Sequence, residues 1–232
     1  MTISGAHLYG FPSHDSDYDL RGAHVLPASE VLSLRQADET IERMHETETA
    51  PGDSIDLVTH DVKKFMRLML KRNGYILEQL YSPLVVVTSP EHDELKAIGQ
   101  RCITRHHVHH YLGFAHNQWK LFRRQNPRRV KPLLYVYRVL LTGIHLMRTG
   151  RIEANLRITN ESFCLSYVDE LIERKFEGAE QSLLDDVDVT FHEAEYLRLV
   201  AMLRREAEAT DLPDEASGKD ELSDLLVQLR GI

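Results

Sequence analysis

The segment from Gly5 to Asp19 constrains this chain most. It begins with a glycine turn at Gly5-Ala6. A spacer of ten residues follows, and then Asp17-Tyr18-Asp19 opens an apolar stretch. Side chains two apart on a strand point to the same face, so Asp17 and Asp19 would lie together. Paired carboxylates suit Mg²⁺, which binds phosphates as well, and a glycine turn lets backbone N–H groups approach a triphosphate. The segment predicts metal-assisted chemistry on a nucleotide, with a solvated Asp-x-Asp turn as the alternative.

Composition limits the class of protein. The 232 residues are 42% hydrophobic, enough for one large domain or two small ones with a packed core. The sequence has no apolar run of transmembrane length and no signal-peptide pattern, and its two cysteines, Cys102 and Cys164, fit no metal spacing. We therefore expect a cytoplasmic protein with reduced thiols and no membrane partner.

The charge is distributed unevenly. The net charge is −8, yet residues 101–150 contain ten Lys or Arg and no Asp or Glu. A solvated helical face normally mixes both signs. This segment indicates an anionic ligand or a merely basic surface.

The periodicity predicts an α+β fold, with a small mixed β-sheet followed by an α-helical C-terminal region. Strands are expected at 20–26, 39–47 and 54–59, the last two as a hairpin around a turn at 50–53. Asp61 is a typical N-cap for the next helix, which we expect to end at a left-handed Gly74. Further helices are expected at 91–104, 106–124, 131–149, 159–176, 190–209 and 220–229. The predicted domains are 1–90, 91–209 with a basic face, and 210–232 as a linker and amphipathic helix.

A third carboxylate, Asp56, lies inside an apolar predicted strand. A buried carboxylate without a partner is costly, so Asp56 is either a metal ligand or part of a solvated face. A third ligand is what a two-metal phosphoryl-transfer site usually requires.

These residues resemble a known family. A glycine turn, a ten-residue spacer, Asp-x-Asp and a later carboxylate are the pattern of DNA polymerase β-like nucleotidyltransferases. More closely, the chain resembles the RNA-repair-pathway (RlaP, or YcgL-type) group in four stretches: SGAHLYGFPSHDSDYDLRG, IDLVTHDVKKF, LKRNGYILEQLYSP and YRVLLTGIHLMRTG. The resemblance covers most of the chain.

The resemblance implies a nucleotidyltransferase core over 1–90 that moves a nucleoside monophosphate from an NTP and releases pyrophosphate. It implies that Asp17, Asp19 and Asp56 are the catalytic residues and bind Mg²⁺ or Mn²⁺, and that Gly5 is the turn glycine. Ala6 stands where many relatives carry Ser, which removes one phosphate hydrogen bond. Only residues 1–4 precede Gly5, so we expect a very short first strand.

Other candidates for ligand binding are basic. Arg21 follows Asp19 on the same strand face, and either pairs with a carboxylate or reaches a phosphate. Lys131, Tyr135 and Arg138 fall on one helix face. We expect the two cations there to contact the triphosphate, the alternative being cations that extend into water.

Two further clusters remain open between a functional and a structural interpretation. The arginines flanking Pro127 either grip an RNA backbone or form a solvated basic loop; they are Arg123, Arg124, Arg128 and Arg129. The histidines between His106 and His110 have a helical metal spacing, but no cysteine or nearby carboxylate completes a site. We expect helix-surface or phosphate-facing histidines there.

Three functions follow from these features. The first is NTP-dependent transfer of a nucleotide to an RNA end. The second is adenylylation of a partner protein in an antitoxin-like role. The third is an inactive nucleotide-binding regulatory domain, against which three retained carboxylates argue.

Overall fold

A computed structural model describes residues 1–34, 37–46, 54–177 and 189–231, so the predicted turn at 50–53 lies outside the described residues. The chain forms two compact units that alternate along the sequence. The first contains Met1–Gly5, Asp17–Thr104 and Pro213–Ile232, and the second contains Ala6–Ser16 and Arg105–Leu212. These limits differ from the division at 90 and 209, which stays a prediction.

The first unit contains a four-stranded mixed sheet in the order β1-β2-β4-β3. The strands are β1 (Thr2–Ile3), β2 (Tyr18–His24), β3 (Thr40–Glu46) and β4 (Ser54–Asp61). Strand β2 runs parallel to β4 and antiparallel to β1, and β3 pairs antiparallel with β4. The predicted α+β class and the antiparallel pairing of the two hairpin strands are confirmed.

Helices make up most of the rest of the chain. In chain order they are α1 (Gly5–Tyr9), α2 (Ala28–Val31), α3 (Val62–Leu70), α4 (Gly74–Leu80), α5 (Pro90–Gln100), α6 (Val108–Arg124), α7 (Val130–Thr149), α8 (Leu156–Glu161), α9 (Ser166–Glu177), α10 (Val189–Ala209) and α11 (Lys219–Arg230), with a 3₁₀ turn at Arg105–His107 before α6. None of the helices in the described ranges is both long and apolar enough to span a bilayer.

The core of the first unit lies where α3 and α4 pack on the sheet and against each other. Phe65 and Met69 of α3 are buried because they fall on one helix face. The final helix, α11, packs on α3 and α5 through the buried Leu222 and Leu225. The predicted amphipathic C-terminal helix therefore packs within its own chain.

Asp61 links several elements of this unit. As predicted, it is the N-cap of α3, and its side chain accepts a hydrogen bond from Lys63 N at 3.0 Å. Both oxygens of the same carboxylate accept a hydrogen bond from Arg230 Nη2, Oδ1 at 2.7 Å and Oδ2 at 2.8 Å. Oδ2 also accepts one from Leu26 N at 3.1 Å. Burial acts to raise the pKa of Asp61, but these hydrogen bonds outweigh it and hold the pKa below its ordinary value.

The left-handed cap predicted at Gly74 is wrong. Arg72 adopts the positive φ of 62°, and the side chain of Asn73 accepts from Tyr75 N and caps the next helix. Gly74 is then the first residue of α4. The Asn side chain supplies a helix start at a position where the glycine pattern indicated a stop.

The second unit is built around α7, which contacts α6, α8, α9 and α10. Most of its side chains are buried, and Gly150 ends it in the left-handed conformation with a φ of 68°. The single helix predicted at 159–176 is instead α8 and α9. Asn160 breaks it, because its side chain bonds both the N–H and the carbonyl of Leu165.

Candidate functional site

The sheet brings two of the three predicted carboxylates side by side. Strands β2 and β4 are parallel neighbours, and their register pairs the Cα atoms of Asp19 and Asp56. Residues paired across two strands project to the same face of the sheet. The Asp19 and Asp56 side chains are 28% and 33% exposed, so the pair is open to a ligand at one side.

Arg21 holds this pair from the protein side. Its Nη2 donates to Asp19 Oδ1 at 2.6 Å and to Asp56 Oδ2 at 2.7 Å. Its Nη1 donates to the Asp56 carbonyl at 2.6 Å, and its Nε donates to the Tyr75 hydroxyl at 3.3 Å. Of the two roles considered for Arg21, the structure shows carboxylate pairing.

The electrostatics of Arg21 follow from this arrangement. Burial acts to lower the pKa of its guanidinium, since only 10% of the side chain is exposed. Tyr75, Asp56 and Asp19 outweigh this effect and raise the pKa. Arg21 is thus a fixed cation that offsets the mutual repulsion of two adjacent carboxylates.

The glycine turn contacts the same pair. Gly5 has a φ of +62°, and a Cβ built on it would lie 1.8 Å from Asp19 Oδ2. Ser4 N donates to the Asp19 carbonyl at 2.8 Å, which fixes the turn against the start of β2. Only glycine allows this carboxylate to approach the backbone so closely. Ala6, the next predicted ligand residue, is buried.

Asp17 lies just before β2, outside the strand ladder. Its Oδ1 accepts a hydrogen bond from Ser54 Oγ at 2.6 Å, and the side chain is exposed. In the part of the chain that the structure describes, no three His, Cys, Asp or Glu side chains form a group placed to hold one ion. The structure therefore joins Asp19 with Asp56 but does not add Asp17 as a third converging ligand.

The donor chemistry of the Asp19–Asp56 pair fits a divalent cation of the magnesium type. Both groups supply carboxylate oxygens, which Mg²⁺ and Mn²⁺ prefer. Arg21 binds one oxygen of each group, Oδ1 of Asp19 and Oδ2 of Asp56. The guanidinium shows that the pair accommodates positive charge at this edge of the sheet.

The predicted basic residues of the helical unit differ in exposure. Lys131 and Tyr135 are half-buried and line one cavity, as their helical spacing suggested. Arg138 is only 1% exposed, and its guanidinium carbon lies 4.0 Å from the centre of the Tyr9 ring. Its role in phosphate binding stays a prediction, while its observed role is a cation–π contact within the core of this unit.

The histidine cluster is partly buried. The rings of His106 and His109 stack with centres 6.0 Å apart. Burial, with Arg138 and His107 nearby, lowers the pKa of His110 to about 4. His110 is therefore neutral at physiological pH and contributes no charge to a phosphate site.

Sequence reasoning missed Tyr75 and Ser54, which hold Arg21 and Asp17. Neither residue belongs to a motif, and both are distant in the chain from the residues that they contact. The Ser54 contact depends on the parallel pairing of β2 with β4, and the Tyr75 contact depends on the packing of α4 against β2. No local sequence pattern contains either.

Comparison with known proteins finds one family whose model matches nearly the whole chain. The model of the family described as "RlaP: RNA repair pathway DNA polymerase beta family" matches residues 1–228. Uncharacterized protein MJ0002 of Methanocaldococcus jannaschii is 33% identical over 73% of this chain and 67% of that protein. Uncharacterized protein YcgL of Bacillus subtilis is 27% identical over 91% of this chain and 84% of that protein. No solved structure matches the chain significantly.

Proposed function

Because this chain belongs to the RlaP family of RNA-repair-pathway, DNA polymerase β-like proteins, we propose that it transfers a nucleoside monophosphate from an NTP to an RNA end. The observation that carries the proposal is the pair of carboxylates, Asp19 and Asp56, held in register by Arg21. Phosphoryl transfer depends on positioned charge, and this edge of the sheet supplies it.

In this proposal Asp19 and Asp56 would hold the Mg²⁺ or Mn²⁺ that accompanies the NTP, and the family resemblance adds Asp17 as the third ligand. When bound, such an ion would supply positive charge to the phosphates and would lower the pKa of the attacking hydroxyl. Arg21 keeps Asp19 and Asp56 aimed at one site, so their negative charge is organised before the substrate arrives. Asp56 is also the group that accepts the proton of the attacking RNA hydroxyl.

On the phosphate side the proposal uses the glycine turn, where the backbone of Gly5 and Ala6 would approach the triphosphate. A Ser in place of Ala6 would add one hydrogen bond there, a difference of about 1 kcal/mol. That difference is too small to abolish transfer.

The test is incorporation of label. The full chain is incubated with each α-³²P-labelled NTP, Mg²⁺ and RNA oligonucleotides that carry either a 3′-hydroxyl or a 3′-phosphate end. We expect labelled RNA and free pyrophosphate with wild type, and a loss of at least about 100-fold with Asp19→Asn, since positioned charge supplies most of the catalysis.

Glu42→Gln is the matched control, because Glu42 is an exposed carboxylate on the neighbouring strand β3. Its activity should equal that of wild type. Label on a polypeptide instead of RNA would replace this proposal with protein adenylylation. The absence of label from every NTP, RNA end and protein would leave a binding domain without transfer activity.

A further inference from the structure

The helical unit contains a cavity of about 320 Å³ where α6 ends and α7 begins. We name it the junction pocket. It is lined by Gln118, Leu121, Gln125, Arg129, Lys131, Pro132 and Tyr135. Its volume falls within the range of pockets that hold small ligands, and its wall combines apolar surface, amides and cations.

One wall of the junction pocket is apolar and rigid. Tyr135 packs edge-on against Tyr9 and Phe11, with ring centres 5.6 Å away in both cases. Leu121, beside it, remains 46% exposed. A fixed aromatic ring next to an exposed apolar side chain is a surface on which a nucleobase stacks.

The polar groups of the pocket favour a ligand that has both hydrogen-bond donors and negative charge. Gln125 Oε1 is buried, and no donor among the described residues reaches it. An acceptor in this state is costly unless a ligand supplies the donor, which an amino or imino group of a base does. Arg129 and Lys131 line the same pocket and provide positive charge for a phosphate.

The pocket lining contains no carboxylate, which distinguishes an NTP from an RNA phosphodiester as its ligand. A triphosphate binds together with Mg²⁺, which proteins hold through carboxylate oxygens. Residues 101–150, which provide the whole pocket, include no Asp or Glu. A phosphodiester of RNA needs cations and no metal ion, and it suits this pocket better than an NTP.

We propose that the junction pocket binds one nucleotide of the RNA acceptor strand. The base lies on Tyr135 and Leu121 with a donor toward Gln125, and Arg129 and Lys131 bind its phosphate. This assigns Lys131 and Tyr135 to the acceptor instead of the triphosphate. The inference rests on the proposed function, because it names the site where that function's acceptor is held.

The experiment measures binding of a fluorescein-labelled single-stranded RNA of about 10 nucleotides by anisotropy, at several salt concentrations and without NTP. Lys131→Gln should weaken binding by about 3- to 10-fold and reduce the salt slope by about 0.7, because one phosphate contact is lost. Gln125→Leu should weaken binding without changing the salt slope.

Tyr135→Leu should weaken RNA binding by about 10-fold through lost stacking. Because Tyr135 also packs on Tyr9 and Phe11, the thermal melt of the Tyr135→Leu variant is compared with that of wild type. If this variant does not fold as wild type does, Lys131→Gln decides the test. Lys120→Gln is the matched control, since Lys120 is an exposed lysine of α6 outside the pocket. It should bind RNA as wild type does.

Two results would overturn the proposal. One is RNA affinity and salt slope of Lys131→Gln equal to those of Lys120→Gln. The other is weakened binding of Mg²⁺–NTP by Lys131→Gln with RNA binding intact, which assigns the pocket to the NTP. RNA binding is measured separately from transfer, so pocket-dependent binding without any label incorporation would refute the proposed function and leave the pocket in place.

Discussion

Replacing Arg21 by Met tests the charge arrangement at the candidate site. Asp19 Oδ1 and Asp56 Oδ2 both lie within 2.7 Å of Arg21 Nη2, so these oxygens are at most about 5.3 Å apart. Two unit charges at that separation repel by about 3 kcal/mol at an effective dielectric constant of about 20. Solvent screens part of this repulsion because about a third of each carboxylate is exposed, so we expect a loss of about 2 kcal/mol.

The assay is urea denaturation followed by circular dichroism, with and without Mn²⁺. Arg21→Met should lower the free energy of unfolding in metal-free buffer. Adding Mn²⁺ should raise the free energy of unfolding of this variant by more than it raises that of wild type, because a divalent cation can take the place of the guanidinium charge. The matched control is Arg43→Met, which removes an exposed arginine from β3. If the two variants lose the same stability, within about 0.5 kcal/mol, the reasoning about Arg21 is refuted.

Three other predictions use either denaturation or the label-incorporation assay. Arg230→Gln leaves the Asp61 carboxylate buried without its cation, so we expect a loss of about 3–5 kcal/mol in urea denaturation. Because the folded pKa of Asp61 is lowered, its contribution is complete above its ordinary value of 3.8 and falls as the pH drops through the lower folded pKa. This acid-dependent loss should be smaller in Arg230→Gln, where only the hydrogen bonds from Leu26 N and Lys63 N still lower the pKa. Gly5→Ala places a Cβ against Asp19 Oδ2 and should reduce both nucleotide transfer and the stability of the protein. Its control is Gly113→Ala, in open space on α6, which should stabilise the protein by about 0.5–1 kcal/mol. Equal shifts of the melting temperature in the two variants would contradict this prediction. Chelation with EDTA should abolish transfer and Mn²⁺ should restore it, and label incorporation that persists in EDTA would rule out the proposed ligand role of the aspartates.

Much of the secondary structure could be predicted because it depends on neighbours in the sequence. Helical spacing of apolar residues identified α3, α6, α7 and α11, since each must bury one face. The error at 159–176 came from Asn160, whose side chain satisfies the backbone of Leu165 and so stops a pattern that otherwise continues. A short polar side chain competes with the helix in a way that periodicity does not record.

The candidate site was predictable in residue type but not in arrangement. The spacing of Asp17 and Asp19 and the costly position of Asp56 identified the acidic residues. That Arg21 bridges Asp19 and Asp56 depends on β2 pairing directly with β4, because β3, although earlier in the chain, lies outside them. Arg138 shows the same limit, since a basic helix face does not reveal that its cation is buried against Tyr9.

The sequence by itself determined which residue types are present and how most segments fold locally, because strand and helix periods follow from backbone geometry. It also determined the family, through the motif around Asp17 and Asp19. Only the tertiary structure decided which carboxylates meet, which cation holds them and where the last helix packs. These features depend on hydrogen bonds and packing between residues far apart in the chain, such as the contact of Arg230 with Asp61, and the local pattern of neither segment contains the other.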